Sequence, residues 1–221
     1  MASTLRVIRV ATALLIVAAL GWQFRWSTDH SATFTAGNFF SYFTVVSNLL
    51  LVAALAALVI RPSLAHDVSF LTLRGSATIG ITITGLVYAV LLAPSSADVD
   101  VSLRWVDFIV HTLAPIVGLA DWLVDRPRQR PPVATVSSWL AFPVLWLVYT
   151  LIRGAITDWY PYPFLDPDLE RVGSIIATSL AITAVFVVVA AFLWWWSGRR
   201  RPLADGPPAE LTTDAGHDSR A

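Results

Sequence analysis

An aspartate and a histidine stand four residues apart in RWVDFIVHTLAP, residues 104–115, a run otherwise apolar enough for lipid. At that spacing Asp107 and His111 share one helix face and can hydrogen-bond to each other. A carboxylate beside an imidazole holds the ring in one tautomer and supports it as a base. An ionisable side chain costs about 2.5–3.5 kcal/mol at the middle of a spanning helix, so two together ask for a reason. From spacing alone a blander reading stays open, in which the pair is a satisfied contact at a helix start near the interface.

A nucleophile that such a base could serve lies upstream, in GNFFSYFTVVSNLLLV. Ser41, Thr44 and Asn48 fall at helical spacing with Ser47 adjoining, which puts a polar stripe on an apolar helix. Threonine attacks poorly until a base takes its proton, and histidine is the usual base. Depth favours a meeting. Thr44 and His111 each lie six residues in from the same side, roughly 9 Å at the rise of an α-helix. On the returning helix Arg153 comes to roughly 7.5 Å and Tyr149 to roughly 13 Å by the same rise, and Tyr88 falls in that layer too. Thr44 as nucleophile, His111 as base and Asp107 as its orienting group thus form a candidate acyl-transfer set. Ser47, Asn48, Tyr88, Tyr149 and Arg153 are the candidate substrate-binding residues, the cationic and phenolic ones as donors to an oxyanion. Ser and Thr on a membrane helix also serve as interhelical glue, and Arg153 could instead pair with Asp107 or snorkel outward.

The elements that must position these residues follow from composition. Of 221 residues 56% are hydrophobic and 14% charged, and the mean hydropathy is +0.66. That balance describes an integral membrane protein rather than a soluble domain. Six segments reach the length needed to span a bilayer, about 20 residues: residues 7–24, 38–60, 75–93, 105–124, 134–157 and 172–196. The expected fold is all-α, a polytopic bundle of six transmembrane helices. A signal-peptide reading of the first segment is weakened by its continuation into GWQFRW, an aromatic interface cluster rather than a small-residue cleavage site. The third segment, GSATIGITITGLVYAV, is rich in small residues that let membrane helices approach closely, and it is expected at the centre.

All 15 basic residues are arginines. Arg6, Arg9, Arg61, Arg74, Arg126, Arg128, Arg130 and Arg199 to Arg201 fall on one side, which places both termini in the cytoplasm and the chain in the plasma membrane. Residues 199–221 have too little apolar content to fold and read as a disordered tail. Absence of lysine excludes Schiff-base and P-loop chemistry, and absence of cysteine excludes thiol nucleophiles and thiolate metal sites. A zinc hydrolase needs about three protein ligands, and only His111 of the four histidines lies within a span. No metal or cofactor is therefore expected. Zero net charge and the lack of a basic aromatic surface argue against nucleic acid as a partner.

Three short motifs carry a resemblance to a known family. Phe43-Thr44 follows a group of aromatic residues, His111-Thr112 is followed by Pro115, and WYPYPFLD spans residues 159–166. In that order they resemble the six-helix membrane proteins related to the androgen-induced membrane hydrolases, whose animal members cleave fatty acid esters of hydroxy fatty acids with a threonine and a histidine. The resemblance implies Thr44 as nucleophile and His111 as base; the role of Asp107 comes from spacing. Ser47 and Asn48 depart from the apolar surroundings expected of the animal members, so substrate choice does not carry over. The expected function is intramembrane hydrolysis of a lipid ester, with a membrane lipid or fatty acid ester as partner. A proton-coupled carrier using Asp107 and His111, or a non-catalytic lipid-binding protein, are the rival readings. The proline-rich loop after the fifth segment is either a stiff interface loop or a lid over the pocket.

Overall fold

The computed structural model describes residues 2–92 and 103–199, and these form an all-α bundle. Its elements are α1 (Ala2–His30), α2 (Ala36–Ser41), α3 (Phe43–Ile60), α4 (Val68–Val87), α5 (Arg104–Phe108), α6 (Ala114–Val124), α7 (Val133–Thr157) and α8 (Val172–Trp196). A π turn, Tyr88–Leu92, continues α4, and another, Ile109–Leu113, joins α5 to α6. Among the described residues, six helical stretches are long and apolar enough to cross a membrane. The protein is a multi-pass membrane protein. The expected spans are matched in number and order, while α1 runs well beyond 7–24, through the aromatic cluster to His30. The disordered-tail expectation, residues 199–221, lies outside the described residues apart from Arg199.

Composition accounts for the layering. The run from Gly75 to Ile81 in α4 is wholly buried, and α4 packs against α3, α6, α7 and α8. Its small residues allow that crowding: a Cβ on Gly85 would collide with Pro115 of α6 and approach the carbonyl of His111. By contrast α7 and α8 turn most of their surface outward, with Leu145, Ile152, Leu180 and Val188 exposed. In lipid that apolar exposure is the expected state of a peripheral helix.

Two interruptions shape the interior. The second expected helix breaks at Tyr42, whose backbone is extended (φ −66°, ψ 130°), giving a short α2 and a fresh helix start at Phe43. Neither glycine nor proline causes this. A break in lipid survives only if the freed backbone groups find partners, and here the Ser41 carbonyl accepts from Trp146 Nε1 at 2.9 Å while the Thr44 amide donates to the Tyr162 hydroxyl at 3.3 Å. The second interruption is the π turn around His111. Pro115 has no N–H for the His111 carbonyl and its ring crowds that oxygen, so the wider turn, in which the Ala114 amide bonds the Ile109 carbonyl, relieves the clash.

At the opposite end of the bundle lies a second intramembrane polar group. Arg9 Nε and Nη2 bond Asp121 and Asp125 at 2.6 and 2.7 Å, and Arg74 Nη2 bonds Asp121 at 2.9 Å. Arg74 also donates to the backbone carbonyls of Ala65, Asp121 and Asp125 and lies over the ring of Trp122. Arg9 and Arg74, counted above only as markers of sidedness, are thus buried ion-pair residues. Intramembrane polarity is divided between two sites rather than gathered in one.

Candidate functional site

Thr44 is the second residue of α3, two residues past the break at Tyr42. The first amides of a helix lack intrahelical acceptors and carry partial positive charge, so negative charge developing beside Thr44 is favoured. His111 sits in the π turn across from it, with Nε2 3.2 Å from Thr44 Oγ1. On its far side His111 Nδ1 lies 2.9 Å from Asp107 Oδ1. The Tyr88 hydroxyl donates to the other carboxylate oxygen, Oδ2. The ring of Tyr88 stacks on the imidazole, with centroids 4.2 Å apart and planes 8° from parallel.

With Asp107 ionised, these contacts fit one set of proton directions. An ionised carboxylate only accepts, so Nδ1 carries the hydrogen and Nε2 of the neutral ring accepts from Thr44. Thr44 Oγ1 then has a lone pair for the Tyr162 hydroxyl, 3.3 Å away. The bonds at Thr44 are longer than the usual O–H donor distance of about 2.7–2.8 Å, as befits a site whose contacts tighten around a bound substrate. Thr44 and Asn48 are linked too, since Asn48 Nδ2 donates to the carbonyls of Thr44 and Val110 and so ties α3 to the His111 turn.

The structure brings Thr44, His111, Asp107 and Tyr88 together and sorts the other expected residues differently. Ser47 is fully buried and donates to the Phe43 carbonyl against Gly80, while Asn48 is fully buried between helices. Both hold the helices rather than line a pocket. Ser41, on the far side of the Tyr42 break, leaves the stripe and pairs with Tyr149 at 2.8 Å. Tyr149 is half exposed and faces away from Thr44. Arg153 reaches neither Asp107 nor the nucleophile: it donates to Asn38 Oδ1 at 2.7 Å and covers the Trp159 ring. The Thr44 hydroxyl thus meets none of Ser47, Asn48, Tyr149 and Arg153: Asn48 touches Thr44 only at its backbone carbonyl, Ser47 bonds within α3, and Tyr149 and Arg153 of α7 are taken up by Ser41 and Asn38.

Tyr162 is the residue that reading by spacing missed. It comes from the WYPYPFLD loop, which folds inward so that the Tyr162 ring is buried against Tyr42 and Trp146 and stacks on Phe164. Burial pushes its phenol up to about 12, against the pull of its bonds to Thr44, so it stays a protonated donor at neutral pH. The signals in the sequence were the density of aromatic and proline residues after α7 and the WYPYPFLD motif, neither of which singles out Tyr162.

Two cavities meet at this point, and Thr44, Leu92 and Tyr162 line both. One, about 150 Å³, runs between α4, α7 and α8 and is walled by Val87, Val144, Leu147, Ile182 and Phe186. The other, about 460 Å³, is bounded by the end of α1, α2, the His111 turn and the 159–163 loop, and exposes Gln23, Ser27, Ser31, Thr33 and Asn38 along with Asp107 and His111. No protein-family model, curated protein or solved structure matches the chain.

Proposed function

We propose that this protein is an intramembrane hydrolase that cleaves a lipid ester with Thr44 as nucleophile. The observation that carries the reading is the continuous hydrogen-bonded chain from Thr44 through His111 to Asp107, opening on two cavities. His111 Nε2 takes the Thr44 hydroxyl proton as Oγ1 attacks the ester carbonyl carbon. The carbonyl π pair moves onto oxygen, and the Thr44 amide at the start of α3 and the Tyr162 phenol are the nearest donors for that oxyanion. Collapse expels the alcohol, which leaves with the proton held on His111, and an acyl-threonine remains. Water then gives a proton to His111 and attacks the acyl carbon. The second collapse releases a carboxylic acid and returns the proton to Thr44. Asp107, braced by Tyr88, supports the imidazolium that forms in both halves. The reading extends the sidedness of the arginines: a site near the non-cytoplasmic leaflet of the plasma membrane, both termini inside.

A fluorophosphonate probe applied to membranes tests it. The expected result is labelling of the wild-type chain that disappears in both Thr44→Ala and His111→Ala at unchanged expression. Labelling that persists in Thr44→Ala would assign the reactivity elsewhere, and no labelling of wild type by probes of short and long chain would reject the hydrolase.

A further inference from the structure

The two cavities differ in chemistry as well as size, and the scissile position lies where they join. A cavity of about 150 Å³ lined by apolar side chains stays dry and takes apolar guests. Its walls include α8, the helix most exposed to lipid together with α7, so a chain lying among the bilayer tails has a short way in. The larger chamber sets apolar walls such as Leu20, Phe39, Val106 and Trp159 beside a group of hydroxyls and amides, of which Ser31 is half-buried and Thr33 exposed. That chamber admits water and groups that hydrogen-bond. Tyr162 stands between them with its ring in the apolar stack and its hydroxyl on Thr44.

We infer that the substrate is an ester of one linear acyl chain with a small, uncharged polyhydroxylic alcohol, the acyl chain lying in the α4–α7–α8 cavity and the alcohol in the hydroxyl-lined chamber. The inference rests on the hydrolase reading and specifies its substrate. Three observations make the assignment directional. The apolar cavity, about 150 Å³, is of the size that takes a guest of about six carbons, so it grips the first methylenes of one chain, and among its described lining only Thr84, Trp146, Ser179, Thr183 and the shared Thr44 and Tyr162 carry polar atoms. His111, which must hand its proton to the departing alcohol, lines only the polar chamber. The water that completes the cycle must reach the same nitrogen, and the wet chamber supplies it once the alcohol has left. A second long chain would contact the apolar walls of the larger chamber but cover its hydroxyls and amides without replacing their hydrogen bonds to water, which costs the desolvation of those groups.

The test uses the full-length protein in detergent or vesicles with 1-monoacylglycerols of increasing chain length, a diacylglycerol, and a long-chain alkyl ester of the same acid. Wild type is expected to prefer long-chain monoacylglycerol over the alkyl ester and the diacylglycerol by at least about 10-fold in kcat/KM, the scale of discrimination one pocket provides. Ile182→Trp, which fills the apolar cavity from the peripheral helix, is expected to lose long-chain esters by about 10-fold or more while keeping short ones. Gln23→Leu is expected to narrow the preference for glycerol over the alkyl alcohol and leave the chain-length profile in place. Equal turnover of all three ester classes, or an unchanged chain-length profile in Ile182→Trp while Thr44-dependent probe labelling persists, overturns the substrate assignment and leaves the hydrolase standing. Loss of Thr44-dependent labelling in wild type removes both.

Discussion

The two polar groups inside this bundle are built to opposite specifications. Arg9, Arg74, Asp121 and Asp125 form bonds of 2.6–2.9 Å between opposite full charges and line neither cavity. Thr44, His111 and Tyr162 are joined at 3.2–3.3 Å beside two cavities, with His111 and Asp107 15% and 21% exposed. Burying an ion pair is worthwhile only when geometry and further hydrogen bonds compensate the lost hydration. The arginine cluster meets that condition through three carbonyls and a tryptophan face, and its tightness leaves nothing to react. The threonine site holds His111 to Asp107 as closely, at 2.9 Å, but it keeps longer bonds at Thr44 itself, beside two cavities and at a helix start, and those are conditions for chemistry. Slack at the nucleophile next to space therefore marks the reactive site here, and a cluster tight at every bond marks the structural one.

That contrast is sharpest when each site loses its central atom. Thr44→Ala is expected to abolish probe labelling and lower ester turnover by at least about 10⁴-fold, with thermal stability retained; a large fall in melting temperature would make Thr44 structural. Asp121→Ala should do the reverse. It removes the carboxylate that two buried guanidinium groups share, leaving Arg9 with Asp125 alone and Arg74 with backbone carbonyls alone, so a stability loss of about 3–5 kcal/mol is expected in denaturation or thermal-shift measurements. The fraction that folds should still label at Thr44. If labelling falls more steeply than folded protein, the two ends are coupled and the division drawn above fails.

Smaller effects test the reactive site from within. Tyr162→Phe removes a donor to the oxyanion while keeping the aromatic stack, and kcat should fall by about 10²–10³-fold with KM little changed. A rise in KM alone would restrict Tyr162 to shaping the cavity. The same residue gives the alkaline prediction. Its phenol keeps its proton to about 12, whereas an exposed phenol loses it near 10. The folded state therefore holds a proton that the unfolded chain has already released, and stability present below pH 10 declines as pH rises toward 12, by on the order of 2 kcal/mol. Tyr162→Phe should flatten that decline, measured by denaturation at stepped pH.

Residue types and spacing went far at Asp107 and His111, because an i,i+4 pair on a helix meets whatever the rest of the fold does. Matching depths likewise brought Thr44 opposite His111, since rise per residue is set by the backbone. The same reasoning put Ser41 on the stripe with Thr44: it assumed an unbroken helix through Tyr42, and nothing in the types of residues 41–43 announces a break. Arg74 and Arg9 were read as loop-side charges because their partners, Asp121 and Asp125, are distant in sequence.

By itself the sequence determined the all-α class, the six spans and the helical pairing within them, because hydropathy and periodicity are local properties that lipid reads directly. Only the tertiary structure decided which polar residues react and which brace. That choice depends on Trp146 and Tyr162 sustaining a helix break, on Gly85 admitting Pro115 beside the His111 turn, and on a loop turned inward to divide two cavities. Each of these is a contact between segments far apart along the chain, where spacing carries no information and packing alone sets the distance.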